Sequence, residues 1–254
     1  MERRLWILLS ALVMLRVSLF LSPATAAVSN CATGVAHPLF DGVQYRPGTG
    51  DYHVRGAKAL IEIRSADLCT SEGSTFSGAW SMVASADAHG WAQIGYLNRS
   101  TSPTLTYFWQ WMKDTTASTP RTATALFGSP AEGDSKTFRV EYLQSDDALH
   151  LFYGPDEGPC NSGGDCPTTP FDPLNAWNGT QGQWYGETGF AGSDVPGRST
   201  SKTDFDTVRV KEPGTDWTQE NWTATGSDKC FYKQDIINNG DHFKIWTQPI
   251  DHDC

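Results

Sequence analysis

The chain has 254 residues, a formal charge of −10 and only 19% charged residues, against 12% aromatics that include 10 Trp. Few charges and many aromatics describe a packed chain, not a disordered one. The acidic balance argues against nucleic acid and anionic membrane surfaces as partners, and the length fits one large domain or two small ones, an all-β domain of this size being ordinary.

The first element is a targeting segment. Arg3 and Arg4 precede an apolar run from Leu5 to Leu15, and Ala24-Thr25-Ala26 supplies small residues for cleavage, so residues 1–26 read as a secretory signal peptide. Arg16 interrupts the apolar stretch and counts against a membrane anchor. Cleavage removes Arg3, Arg4, Arg16 and Glu2 and takes the formal charge to −12. No later stretch reaches the roughly 20 apolar residues that span a bilayer. The expected protein is secreted, monomeric and without a membrane partner once the signal is removed.

Downstream, helical periodicity is nearly absent. Short alternating runs separated by Gly, Pro, Ser, Asp and Asn predict antiparallel strands at Gly56–Ile63, Gly78–Ser85, Gly90–Asn98, Leu105–Lys113, Ala123–Phe127, Lys136–Gln144, Ala148–Tyr153, Gly182–Phe190 and Phe205–Val210. Shorter strands are expected at Lys229–Tyr232 and His242–Thr247. Residues 27–210 form the predicted sandwich, and residues 211–254 a C-terminal extension packed on it. The Pro- and Gly-rich stretch from Gly154 to Asn178 reads as a long shaped loop. Six cysteines in an exported chain imply disulfides, and local spacing suggests Cys31–Cys69, Cys160–Cys166 and Cys230–Cys254. The sequons at Asn98, Asn178 and Asn221 offer glycosylation sites, with Asn98 and Asn178 expected at the surface.

The chemistry is narrowed first by absence. There is no GxSxG elbow, no HExxH, no phosphate- or dinucleotide-binding glycine pattern and no zinc-type cysteine spacing, so neither metal nor cofactor is expected. What stands out is polarity among aromatics. In Gly90–Tyr96, Trp91, Gln93 and Gly95 share a strand face; in Gln183–Gly189, Gln183, Tyr185, Glu187 and Gly189 do. An amide or carboxyl among large apolar side chains needs a partner, and a structural hydrogen bond competes with a functional role. In Leu105–Lys113, Tyr107, Trp109 and Trp111 fall on one face and Phe108, Gln110 and Met112 on the other. Both faces are apolar, which suits either core packing or an aromatic groove.

The ordered set Ala79-Trp80-Ser-Met-Val, Gln93-Ile-Gly95, Trp109-Gln-Trp111-Met-Lys-Asp114, Gln183-Trp184-Tyr-Gly-Glu187, Val195-Pro196 and Phe205-Asp-Thr-Val208 resembles the glutamic peptidases of the eqolisin type and, more distantly, the neprosin-like family. The resemblance runs from about Gly78 to Val210. It departs where the family has an Asp four residues after the first Trp, here Ala84, and a Glu in the Tyr-Glu-Trp run, here Gln110. Near Gly90-Trp91 the neprosin-like proteins have a Glu, and here there is only Asp87. The resemblance implies a disulfide-stabilised, concanavalin A-like antiparallel β-sandwich of jelly-roll type. It implies Gln93 and Glu187 as a catalytic pair, within about one water of each other, acting on peptide bonds at acidic pH. Glu187 is the implied general base and acid and Gln93 the oxyanion donor, with Trp80, Trp91, Trp109, Trp111 and Tyr185 binding an extended polypeptide. Two other readings stay open: a lectin-like module binding carbohydrate or extended peptide through the same aromatics, and a structural protein whose Trp residues are all core.

Overall fold

The computed structural model describes residues 39–47, 54–69, 75–85, 90–113, 121–143, 145, 148–157, 180–189, 193–226, 232–238 and 241–247. Among them are sixteen strands and no α-helix. In chain order these are β1 (Leu39–Tyr45), β2 (Gly56–Glu62), β3 (Phe76–Ser85), β4 (Gly90–Arg99), β5 (Ser102–Lys113) and β6 (Arg121–Phe127). Then come β7 (Ser135–Leu143), β8 (Ala148–Tyr153), β9 (Asp156–Glu157), β10 (Thr180–Thr188), β11 (Gly197–Arg198) and β12 (Ser201–Lys211). The last four are β13 (Trp217–Thr218), β14 (Thr223–Gly226), β15 (Tyr232–Ile237) and β16 (His242–Thr247).

They form two sheets. The front sheet has the order β14-β1-β10-β3-β4-β5-β6. The back sheet has the order β15-β16-β11-β12-β2-β7-β8-β9, with β13 added beside β12. Pairing is antiparallel except where Arg198 of β11 lies parallel to Thr247 of β16. The all-β sandwich expected from the sequence is therefore the fold.

Strand alternation decides which residues lie between the sheets. From the front sheet come Val43, Ala79, Val83, Ile94, Tyr96, Trp109 and Trp184; from the back sheet come Ala57, Ala59, Ile61, Phe138, Val140, Leu149, Phe205, Val210, Phe243 and Ile245. Their shared burial is the main driving force for closing the sandwich. Polar groups inside are held by loops: the Tyr96 hydroxyl donates to Glu62 O at 3.2 Å and accepts from the Arg64 N–H at 3.0 Å.

Four features differ from the sequence expectation or add to it. β1 was not anticipated, because Asp41 and Gly42 break the apolar alternation of Leu39–Tyr45; it forms by filling the gap between β10 and β14. The two-residue strands β9, β11 and β13 carry no readable period. Asn98 is not a surface residue: it is 4% exposed and its Nδ2 donates to Ala66 O at 3.0 Å, so its amide is committed to holding the loop after β2. Residues after Lys211 are woven into both sheets, β14 into the front and β13, β15 and β16 into the back. Cys69 is the one cysteine among the described residues, so each expected disulfide lies wholly or partly outside them, as do Asn178 and most of the Gly154–Asn178 loop.

Phe243 of β16 stacks on Phe205 of β12 at 4.4 Å with both rings fully buried. Phe243→Ala is expected to cost about 3–5 kcal/mol. It should lower the midpoint of one cooperative urea transition followed by Trp fluorescence, instead of releasing the C-terminal strands in a separate step.

Candidate active site

The face of the front sheet that points away from the core lines a groove of about 850 Å³. Cross-strand register assembles it in rows. One row runs Gln44, Gln183, Met82, Gln93, Gln110 and Thr124 over β1, β10, β3, β4, β5 and β6. The next runs Gly42, Tyr185, Trp80, Gly95 and Phe108, and the third Phe40, Glu187, Gly78 and Leu97.

Two glycines shape the floor. A Cβ at Gly95 would lie 2.0 Å from Ala79 O and 2.7 Å from the Trp80 Cβ, so the space beside the indole exists only because Gly95 has no side chain. A Cβ at Gly78 would lie 2.4 Å from Tyr96 O and 2.8 Å from the Leu97 Cβ, next to the position of Glu187. Around them Trp80, Leu97, Phe108 and Tyr185 form a second apolar cluster, with Phe40 and Met82 packed against it. Trp80 meets Tyr185 edge-on at 5.1 Å, and Phe40 covers Tyr185 at 4.8 Å.

Glu187 is the only acid lining this groove among the described residues. Its Oε2 accepts a hydrogen bond from the Trp80 indole Nε1 at 3.0 Å. Burial pushes its pKa above the ordinary glutamate value, and the indole N–H opposes that rise by favouring the carboxylate. The Gln93 Nε2 donates to Gln110 Oε1 at 3.2 Å, fixing its amide toward β5. At the other side the Tyr185 hydroxyl donates to Gln44 Oε1 at 3.2 Å and accepts from the Thr225 hydroxyl at 2.8 Å, while the Arg46 Nε donates to Gln181 Oε1 at 2.7 Å. A second raised carboxyl lies away from the groove: burial, then the charge of Asp67, pushes Asp194 up to about 7, with Arg198 opposing.

The structure brings Trp80, Trp91, Gln93, Tyr185 and Glu187 to one groove. Trp109 and Trp111 do not reach it. Their odd-numbered face on β5 is the core face, where Trp109 is 2% exposed and Trp111 packs against the core, and the even-numbered Phe108 and Gln110 take the groove side. Gln93 and Glu187 are not opposite each other. Glu187 pairs across from Gly78 and Gln93 across from Met82, four positions apart along the intervening strand, or about 13 Å at the usual strand rise. The side chain that shares Gln93's row beyond β3 is Gln183. Gln44 comes from β1, the strand the sequence did not reveal, and Arg46 from the residue just after it.

Two measurements follow from this geometry. Trp80→Phe removes the indole donor and keeps an aromatic ring in its place, so the Glu187 protonation midpoint should move further up, read by carboxyl NMR titration. A carboxyl whose folded pKa exceeds its unfolded value binds more protons when folded, so stability declines as pH rises from the ordinary glutamate range through the raised value. Glu187→Gln should lose that part of the decline and gain on the parent with rising pH in urea titrations, leaving the decline that Asp194 contributes up to about pH 7.

No family model matches the sequence and no curated protein matches it. Solved structures do. The chain is similar to scytalido-glutamic peptidase, solved with a peptide-based transition state analog, at 13% identity and a TM-score of 0.54, covering 84% of this chain and 100% of that one. It is also similar to SCP-B, a member of the eqolisin family of peptidases solved with the tripeptide Ala-Ile-His, at 14% identity and a TM-score of 0.50 with the same coverage. At this identity the likeness is one of fold: two antiparallel sheets arranged as in the glutamic peptidases.

Proposed function

We propose that the protein is a secreted, glutamic-peptidase-like hydrolase that holds an extended polypeptide in the groove of the front sheet and cleaves it at acidic pH. One observation carries the reading: Glu187, the one groove carboxyl among the described residues, is desolvated and held by an indole N–H on an aromatic floor. A carboxyl with a raised pKa exchanges protons readily in mildly acidic solution, as a general acid and base must. Ionised, Glu187 takes a proton from the attacking water; protonated, it delivers that proton to the leaving amine. Gln93 supplies an amide N–H for the developing oxyanion after turning from Gln110. Because the two lie in different rows, about 13 Å apart along the strand direction, both meet one scissile bond only with their side chains extended toward each other past Trp80.

A second reading has its own observation. The residue that shares Gln93's row is an amide, Gln183, so the row Gln44, Gln183, Gln93 and Gln110 presents donors and acceptors suited to a peptide backbone and no acid. That is a groove that binds extended peptide without cutting it.

Incubation of the secreted protein with denatured protein substrate across acidic pH separates the two. Cleavage by the parent, reduced at least about 100-fold in Glu187→Gln, is the expected result, of the size that removal of an acid–base group produces. Equal cleavage by both excludes Glu187 as the acid–base group. Peptide binding by both with no cleavage by either establishes the binding groove.

A further inference from the structure

The outer face of the back sheet carries an arrangement that the groove does not explain. Arg139 of β7, Lys58 of β2 and Arg209 of β12 lie directly opposite one another in consecutive strands, and Phe152 of β8 ends the row. The neighbouring row is Glu141, Gly56, Lys211 and Trp217. Like charges directly opposite in adjacent strands destabilise a sheet, and here three cations stand side by side in a chain of net charge −10.

The counter-charges are too few. Glu141 pairs with Lys211 at 2.5 Å and with Arg139 at 3.5 Å, and Asp241 pairs with Arg209. Lys58 has no ion pair among the described residues; its ammonium lies over the Trp217 ring at 4.6 Å. Burial, then Arg139 and Arg209, push its pKa down, with Lys211 adding to and Glu141 opposing the shift. Four cations thus face two carboxylates. The acids Glu62, Asp204 and Asp206 line another hollow of about 270 Å³ on the sheet, where Glu62 pairs with Arg64 and Asp204 with His242 and Lys244, so they are not the counter-charges of Lys58.

A backbone distortion builds the row. Between β12 and β2 the register passes from Asp206 opposite Leu60 to Arg209 opposite Lys58, three steps on one strand for two on the other. Thr207 occupies the bulge at φ 53°, a left-handed conformation that is an outlier for a β-branched residue. Regular alternation from the buried Phe205 would turn Arg209 into the core. The bulge instead keeps Val208 and Val210 buried and aims Arg209 outward beside Lys58. Strain and repulsion together are the pattern expected where a fold holds residues for a ligand.

We infer that this row is a binding site for an acidic polysaccharide, with Lys58, Arg139 and Arg209 meeting its carboxylates and Phe152 and Trp217 flanking the sugar rings. The rings are already occupied by cations on one face, Arg139 at 3.8 Å from Phe152 and Lys58 over Trp217, which sets them beside the charges as sugar platforms need.

The test is isothermal titration of the secreted protein with a hexagalacturonate at low ionic strength, beside a neutral hexasaccharide, polyglutamate and a DNA duplex. The expected result is binding of the uronide alone, weakened by salt and reduced roughly tenfold in Lys58→Gln and in Arg209→Gln. Lys58→Gln should also raise the melting temperature of the free protein, because it relieves the repulsion; a merely structural lysine would lower it. Absence of uronide binding, equal binding by the variants, or polyglutamate or DNA binding as tight as the uronide would overturn the proposal.

Discussion

The front sheet has an apolar compartment on each side, and the two-residue period of its strands assigns every side chain to one or the other. On β5 the same rule sends Trp109 to the core and Phe108 to the groove; on β10 it sends Trp184 to the core and Tyr185 and Glu187 to the groove. A single-residue slip in any of these strands would exchange the two sets and bring Glu187 into the core, where an unpaired carboxylate is far more costly. The register is therefore held from both sides, and the groove inherits its rigidity from the sandwich.

That arrangement explains why the groove is both apolar and sparsely acidic. Gly78 and Gly95 remove side chains where Glu187 and Trp80 need room, and the indole then occupies the space and supplies the hydrogen bond Glu187 requires. The balance between desolvation and that one hydrogen bond sets the protonation of the site. On the back sheet the constraint is broken once, at Thr207, and the consequence is opposite in kind: a charged side chain moves outward to stand among like charges. The two faces thus use one rule in two ways, by obeying it to bury a carboxyl and by violating it to expose a cation.

Much was legible in the sequence. Nine long strands, the sandwich class and the common face of Gln93 with Trp91 and of Glu187 with Tyr185 follow from alternation within a strand, which is a local property. The faces of Tyr107, Trp109 and Trp111 were also grouped correctly, but alternation says only that the three share a side. Which side is core depends on the partner sheet, and on β5 both candidates were aromatic, so the groove was assigned the wrong tryptophans.

The sequence by itself determined composition, strand periods and the types of residue that alternate along each strand, because these need only neighbours in the chain. Only the tertiary structure decided the register between strands. It placed Gln183, not Glu187, in the row of Gln93, added β1 with Gln44, and Arg46 just after it, to the groove, drew the C-terminal strands into both sheets, and set Arg139, Lys58 and Arg209 side by side. Cross-strand neighbours are far apart in sequence, and their pairing follows from how two sheets close over a shared core, which no local pattern encodes.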